Sequence, residues 1–322
     1  MGVGAVPIPA GWVARTILGH LPVIRDWVSL AGIDPSVATI VWDIRLPRTL
    51  LAVLVGAALA TSGGVMQGFF QNPMADPYII GISAGAALGA TVAIAFKVEF
   101  WLFGLNAVPI IAFASALVVT FLVYFLSRRG GRVSSGTLLL TGIAVGSLAT
   151  SMTSFLMVIA GEDQRTVLFW LMGSLSARRW DHLRMLLPYV TVGLAVVIVF
   201  ARDLNVLLLG DEQAAHLGIN VERVKVILLV AAACLAAAAV AVSGIIGFVG
   251  LIVPHLVRLA VGPDYRTLTP TAAIAGGLLL VLSDTLARTV VAPAEMPIGI
   301  ITTFLGGPFF LYLLHRQRNR LF

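Results

Sequence analysis

Charge is scarce in this sequence. Lysine occurs only at Lys97 and Lys225, and charged residues of all kinds make up 11% of the 322 residues, against about 25% in an average soluble domain. A soluble fold of this length needs more polar cover than that, because 59% of the chain is hydrophobic and its mean hydropathy is +1.00. Neither lysine follows a glycine or precedes serine or threonine, so a G-x-x-x-x-G-K-[ST] phosphate loop is excluded. The chain does not hydrolyse ATP by that route. Cysteine is rarer still: Cys234 stands alone inside an apolar run, which excludes a disulfide framework and a clustered thiolate site. The histidines (His20, His182, His216, His255 and His315) lie in separate segments, and no H-E-x-x-H is present. The N-terminus has no basic stretch ahead of an apolar core, so it does not read as a signal peptide. A net charge of +6 comes from arginines scattered through short loops rather than gathered in a stripe, which argues against nucleic acid.

What the chain has instead is apolar length. Crossing a hydrocarbon core takes about 20 apolar residues per helix, and only helices or closed barrels satisfy their backbone there. Barrel strands alternate in polarity, whereas 224–242 (VKVILLVAAACLAAAAVAV) is apolar on all sides. The expected fold class is therefore all-α, a polytopic transmembrane helical bundle forming one domain over 1–322. Nine spans are expected at about 49–69, 78–96, 106–126, 137–160, 183–201, 224–242, 245–261, 269–291 and 298–314, with an incomplete or re-entrant piece at 167–175. The basic tail from His315 to Arg320 places the C-terminus in the cytoplasm and, with nine spans, the N-terminus outside. That topology leaves nearly half of the 21 basic residues outside, so some outer arginines need a role.

An offset of 181 aligns Ser62-Gly63 with Ser243-Gly244 and Pro73 with Pro254, an inverted internal repeat of the kind transporters use. Gly81, Gly85 and Gly89, and Gly142 and Gly146, form small-xxx-small faces for close helix packing. Gly81-Ile82-Ser83-Ala84-Gly85 matches the G-x-S-x-G pattern, but it opens a membrane helix rather than following a strand. Asp284 is an acid within an apolar run with Arg288 four residues on, which predicts a helix ion pair. The stretch 202–223 (RDLNVLLLGDEQAAHLGINVER) is the longest hydrophilic connection on the inner side and suits a soluble partner.

Four stretches resemble one family: DIRLPRTLLAVLVGAALATSGGVMQGFFQNPMADPYIIGISAGAALGA (43–90), GDEQAAHLG (210–218), SGIIGFVGLIVPHLVRLAVGPD (243–264) and PAEMPIGIITTFLGGPFFLYLL (293–314). They are similar to the FecCD-type permeases, the membrane subunits of binding-protein-dependent ABC importers for iron-siderophores, haem and vitamin B12. The resemblance implies a type II importer permease fold with ten helices per half and a homodimer in the cytoplasmic (inner) membrane. It further implies two cytoplasmic ATP-binding subunits carrying ATP and Mg, and an extracytoplasmic binding protein. Family members have a first membrane helix before a segment like GAVPIP (4–9), and here that helix is absent. Arg45, Arg48 and Arg288 match positions that receive glutamates of the binding protein. Asp211, Glu212, Ala214 and Gly218 match the coupling helices that meet the ATPase. Asn72, Met74, Ser134 and Ser135 match cytoplasmic gate regions, with Met74 in place of the commoner leucine. The resemblance names no cofactor or metal for this chain and no enzymatic activity. The alternative reading is an ion-coupled secondary transporter with inverted repeats, and the residues do not choose among siderophore, haem and cobalamin.

Overall fold

The computed structural model describes residues 1–4, 6–21, 27, 32–102, 104–129 and 132–318. A short helix α1 (Ala10–His20) precedes α2 (Pro35–Thr39), which starts sharply because Pro35 sits at its first position and the Asp34 carboxylate accepts from the Ser36 amide. A π-helical stretch, Ile40–Arg45, carries α2 directly into α3 (Leu46–Phe69), so that Pro35–Phe69 is one continuous 35-residue rod. Next come α4 (Ile82–Ala95), a tight hairpin of β1 (Trp101–Leu102) and β2 (Leu105–Asn106), and α5 (Ala107–Ser127). A second hairpin, β3 (Arg128–Arg129) with β4 (Arg132–Val133), leads to α6 (Ser135–Ile159), α7 (Gln164–Leu171) and α8 (Trp180–Val199). Two short helices, α9 (Ala201–Leu207) and α10 (Asp211–His216), precede α11 (Val221–Ser243), α12 (Val249–Val261), α13 (Tyr265–Thr289) and α14 (Ile298–Arg318).

Six of these helices are long and apolar enough to cross a membrane, and α4, α12 and Ile298–Tyr312 of α14 are shorter apolar helices. They coincide with the nine expected spans, and α7 with the incomplete piece. The differences lie at the ends. Helix α4 starts at Ile82 because Pro77–Ile80 forms a 3-10 turn, closed by Gly81 in the left-handed region. Helix α12 starts at Val249 because Gly244 and Phe248 both take positive φ and leave the intervening chain unwound. The basic tail beyond residue 318 lies outside the described residues.

Helix α3 is the buried axis: every residue from Val55 to Phe69 is buried. Glycine permits this, since a Cβ on Gly63 would overlap the Gly250 carbonyl of α12, and one on Gly56 the Gly276 carbonyl of α13. Gly85 and Gly89 meet α5 in the same way, and Gly142 meets the 3-10 turn.

The packing is reciprocal. Helix α3 lies on α12 and α13 while α11 lies on α4 and α5; α4 packs on α5 and α6 as α12 does on α13 and α14. This is the arrangement an inverted repeat of α3–α6 and α11–α14 requires. Its symmetry resides in helix pairs rather than single residues, because α3 runs unbroken through Ser62-Gly63 whereas α11 ends at Ser243.

Gly63→Ala is expected to cost about 3 kcal/mol or more, through forced separation of α3 and α12. The same change at Gly11, where a Cβ meets nothing within 4 Å, is expected to be harmless. Apparent melting temperatures of the two detergent-solubilised variants check this.

Candidate functional site

The π-helical turn Ile40–Arg45 brings Arg45 and Arg48 to one end of α3, beside the last turn of α13. All three expected arginines meet there and all are buried. Arg48 is the hub: its Nε donates to Asp284 Oδ1 at 2.9 Å and its Nη1 to Glu295 at 2.9 Å. Asp284 turns its other oxygen to Arg288 Nε at 3.1 Å, so the expected Asp284–Arg288 pair is present and Arg48 shares it. Arg45 is held differently, by the carbonyls of Met1 (2.6 Å) and Val6. Carbonyls satisfy its donors without neutralising its charge. The cluster therefore has three guanidiniums against two carboxylates, around a cleft of about 170 Å³ lined by Gly4, Ile44, Pro293 and Glu295 among others. Glu295, between Pro293 and Pro297, carried no sequence signal beyond being an acid in a short loop.

Three helix ends, those of α7 and α11 and the start of α14, meet within the bundle. The Ser174 amide donates to the Ser243 carbonyl (2.7 Å), Ile298 to Gly173 (2.9 Å) and Gly299 to Met172 (3.2 Å). Tyr78 closes the set by donating to the Ile246 carbonyl at 2.9 Å. Non-helical backbone at membrane depth is tolerated only where it is buried in protein or lines a cavity, and here a cavity of about 560 Å³ opens beside it. Leu171, Met172, Ile245, Gly247, Thr303 and Phe304 line it, without a charged group. Phe248 holds a left-handed backbone that bulky residues seldom adopt, and Gly306 of α14 leaves room for its ring. Ser83 lies in the first turn of α4 after a 3-10 turn, so the strand that a nucleophile elbow requires is absent there.

At the opposite end α3 stops at Phe69, and Gln71 takes the left-handed position that follows such a helix end, with the Asn72 amide bonded to the Gln67 carbonyl. Asn72 folds the loop by accepting from the Met74 amide at 2.9 Å. Ser134 caps α6 through the Thr137 amide, and Ser135 places its hydroxyl 3.5 Å from the Phe69 carbonyl. The four expected gate residues thus share one corner. Asp76 follows, and burial pushes its carboxyl up to about 6 although the Tyr78 amide partly offsets this.

Helix α10 stands between Gly210 and Gly218, both at positive φ. Asp211 and Glu212 line a groove of about 400 Å³ that Glu222 makes more acidic. Ala214 is fully buried, so it seats the helix, and Gly218 shapes its end. A network that the sequence did not announce ties α12 and the start of α13 to α3. Arg258 donates to Gln67 (2.8 Å) and Tyr265 (3.2 Å), and Tyr265 to the Gly64 carbonyl (2.9 Å).

Inverted repeats of apolar spans, with interrupted helices meeting beside an uncharged cavity, are the architecture of a membrane transport protein. The model of the FecCD transport family matches residues 1–316, and the chain belongs to that family. It is 47% identical over 323 residues to the cobalamin import system permease protein of Halobacterium salinarum, across 99% of this chain and 84% of that one. It is 48% identical over 288 residues to the hemin transport system permease protein of Yersinia pestis, across 87% and 84%. Among solved structures, an inward-facing metal-chelate type ABC transporter matches with a TM-score of 0.81 at 33% identity, covering 95% of this chain and 98% of that one. The chain is thus a multi-pass permease of an ABC importer family and not itself an enzyme.

Two predictions follow from the geometry. Asp284→Asn leaves two buried guanidiniums short of a counter-charge and is expected to destabilise the protein by about 3–5 kcal/mol, read from denaturation in detergent. For Asp76 the folded carboxyl titrates above its ordinary 3.8. The charged form is therefore the disfavoured one, and stability falls as pH rises from about 4 through about 6. Asp76→Asn keeps the acceptor for Tyr78 and is expected to raise the melting temperature at about pH 7.5 while leaving it unchanged near pH 4.

Proposed function

We propose that two copies of this chain form the conduit of a cytoplasmic-membrane importer for a bulky iron chelate or cobalamin. ATP and Mg are bound and the ATP hydrolysed on two separate cytoplasmic subunits, and an extracytoplasmic binding protein delivers the substrate. The observation that carries this reading is the surplus guanidinium charge at the Arg45 end. Among the described residues Arg45 has only carbonyl partners, and a carboxylate entering the cleft beside Arg48 and Arg288 supplies the missing counter-charge. Glutamates of a docking protein suit that role, and the charge acts mainly on encounter and register.

The Asp211–Glu212 groove faces the other way and serves the ATPase, while the corner of Asn72, Met74, Ser134 and Ser135 serves as the gate. A second copy is expected along α6. It is among the least buried of the long spans, and Ser147, Thr150, Ser151 and Ser154 make a hydroxyl stripe on its exposed apolar surface. Such a stripe suits a wet pathway between two subunits better than lipid. The charge-free cavity leaves substrate choice to the binding protein. An ion-coupled transporter is the weaker reading, because Asp284 is already engaged by two arginines.

The complex, reconstituted with its ATPase and loaded binding protein, is expected to hydrolyse ATP faster when the binding protein is added. Arg45→Glu should reduce that stimulation about tenfold or more, whereas Arg184→Glu, at an exposed pair with Asp181, should not. Equal stimulation in both variants would remove the docking assignment.

A further inference from the structure

Lys225 is one of the two lysines, yet it sits one turn inside the apolar helix α11 at 7% exposure. A buried ammonium is costly unless paired. Here it reaches Asp211 Oδ2, in the first turn of α10, at 2.5 Å, and lies 5.6 Å from the centroid of the Phe69 ring, where a cation is attracted to the π face. Phe69 is the last residue of α3. Two residues on, the Gln71 side chain donates from Nε2 to the Leu207 carbonyl at 2.8 Å, at the end of α9. The stretch from Phe69 to Gln71 is therefore tied to both sides of Gly210, directly to Leu207 before it and through Lys225 to Asp211 after it. Asn72 and Met74 follow at once, and Ser135 touches the Phe69 carbonyl.

We infer that Lys225 and Gln71 are positioning residues that transmit movement of α10 to the gate loop. The inference rests on the proposed roles of α10 and of that loop. A lysine serving only to dock α11 has no need to touch both α10 and the end of α3. The Gly210 amide donates to the Leu207 carbonyl at 3.2 Å, so α10 and the end of α9 are joined by a tight turn. Displacing that turn either carries Phe69–Gln71 with it or breaks both contacts, which is the coupling of a two-state element by direct bonds.

The test uses the permease reconstituted with its ATPase, in a Cys234→Ala background with Met74→Cys as the reporter. The rate of maleimide labelling is measured with and without ATP, beside the rate of ATP hydrolysis. The parent is expected to show a labelling change of about fivefold on ATP addition. Lys225→Met and, independently, Gln71→Met are expected to reduce it to less than about twofold while hydrolysis continues, and Lys225→Arg to restore it. Gln71 is exposed, so that variant is informative even where Lys225→Met does not assemble. A parent-like change in Lys225→Met or in Gln71→Met, loss of labelling change and hydrolysis in equal proportion, or hydrolysis in the parent without any labelling change each overturns the linkage. A parent that neither binds an ATPase nor hydrolyses ATP overturns the proposed function itself, and the linkage with it.

Discussion

The close approach of α3 to α12 and α13, backbone against backbone at Gly63 and Gly56, is the constraint on which the rest of the structure depends. Lipid offers no hydrophobic drive between helices, so association rests on packing and on polar contacts. Glycine faces supply the packing, Gln67 and Tyr265 supply buried hydrogen bonds across the same contact, and Ser62 adds one from α3 to the Ala232 carbonyl of α11. With α3 fixed in the centre, its two ends define two working regions. Arg45 and Arg48 emerge at one, Phe69 and the Asn72 loop at the other.

The charges follow from that geometry. Arg48 and Arg288 are affordable in an apolar bundle because Asp284 and Glu295 meet them, and Arg258 because Gln67 and Tyr265 do. Among the described residues Arg45 differs, because its donors meet the carbonyls of Met1 and Val6 and no carboxylate. The cavity beside the interrupted helices is lined without charge, and the relatives are named for cobalamin and hemin import.

Much of this was legible in the sequence. Apolar runs near 20 residues located the spans, because a bilayer fixes their length, and Asp284 with Arg288 declared a pair by helical spacing. Asn72, Met74, Ser134 and Ser135 were grouped through resemblance, and they share a corner that no local pattern predicts. Other features were hidden for definite reasons. The π-helical start of α3, in which Val41 and Arg45 are buried, is a winding that periodicity does not encode. The break at Gly244–Phe248 reads as apolar as the helices around it, and only positive φ reveals it. Arg48 reaches Asp284 across 236 positions, and Glu295 across 247, separations at which sequence offers no geometry. Lys225 was visible as a rare charge in an apolar helix, but its partners were not.

A passive conduit of an ATP-driven importer moves its cargo only when a partner ATPase is supplied with ATP. Proteoliposomes carrying the permease with its ATPase, ATP inside and loaded binding protein outside, measure this dependence directly, with radiolabelled cyanocobalamin and ferric citrate as alternative cargoes. The account predicts accumulation of one cargo that requires both ATP and binding protein and is unchanged by an ionophore. Accumulation that persists without ATP and collapses with the ionophore would contradict it.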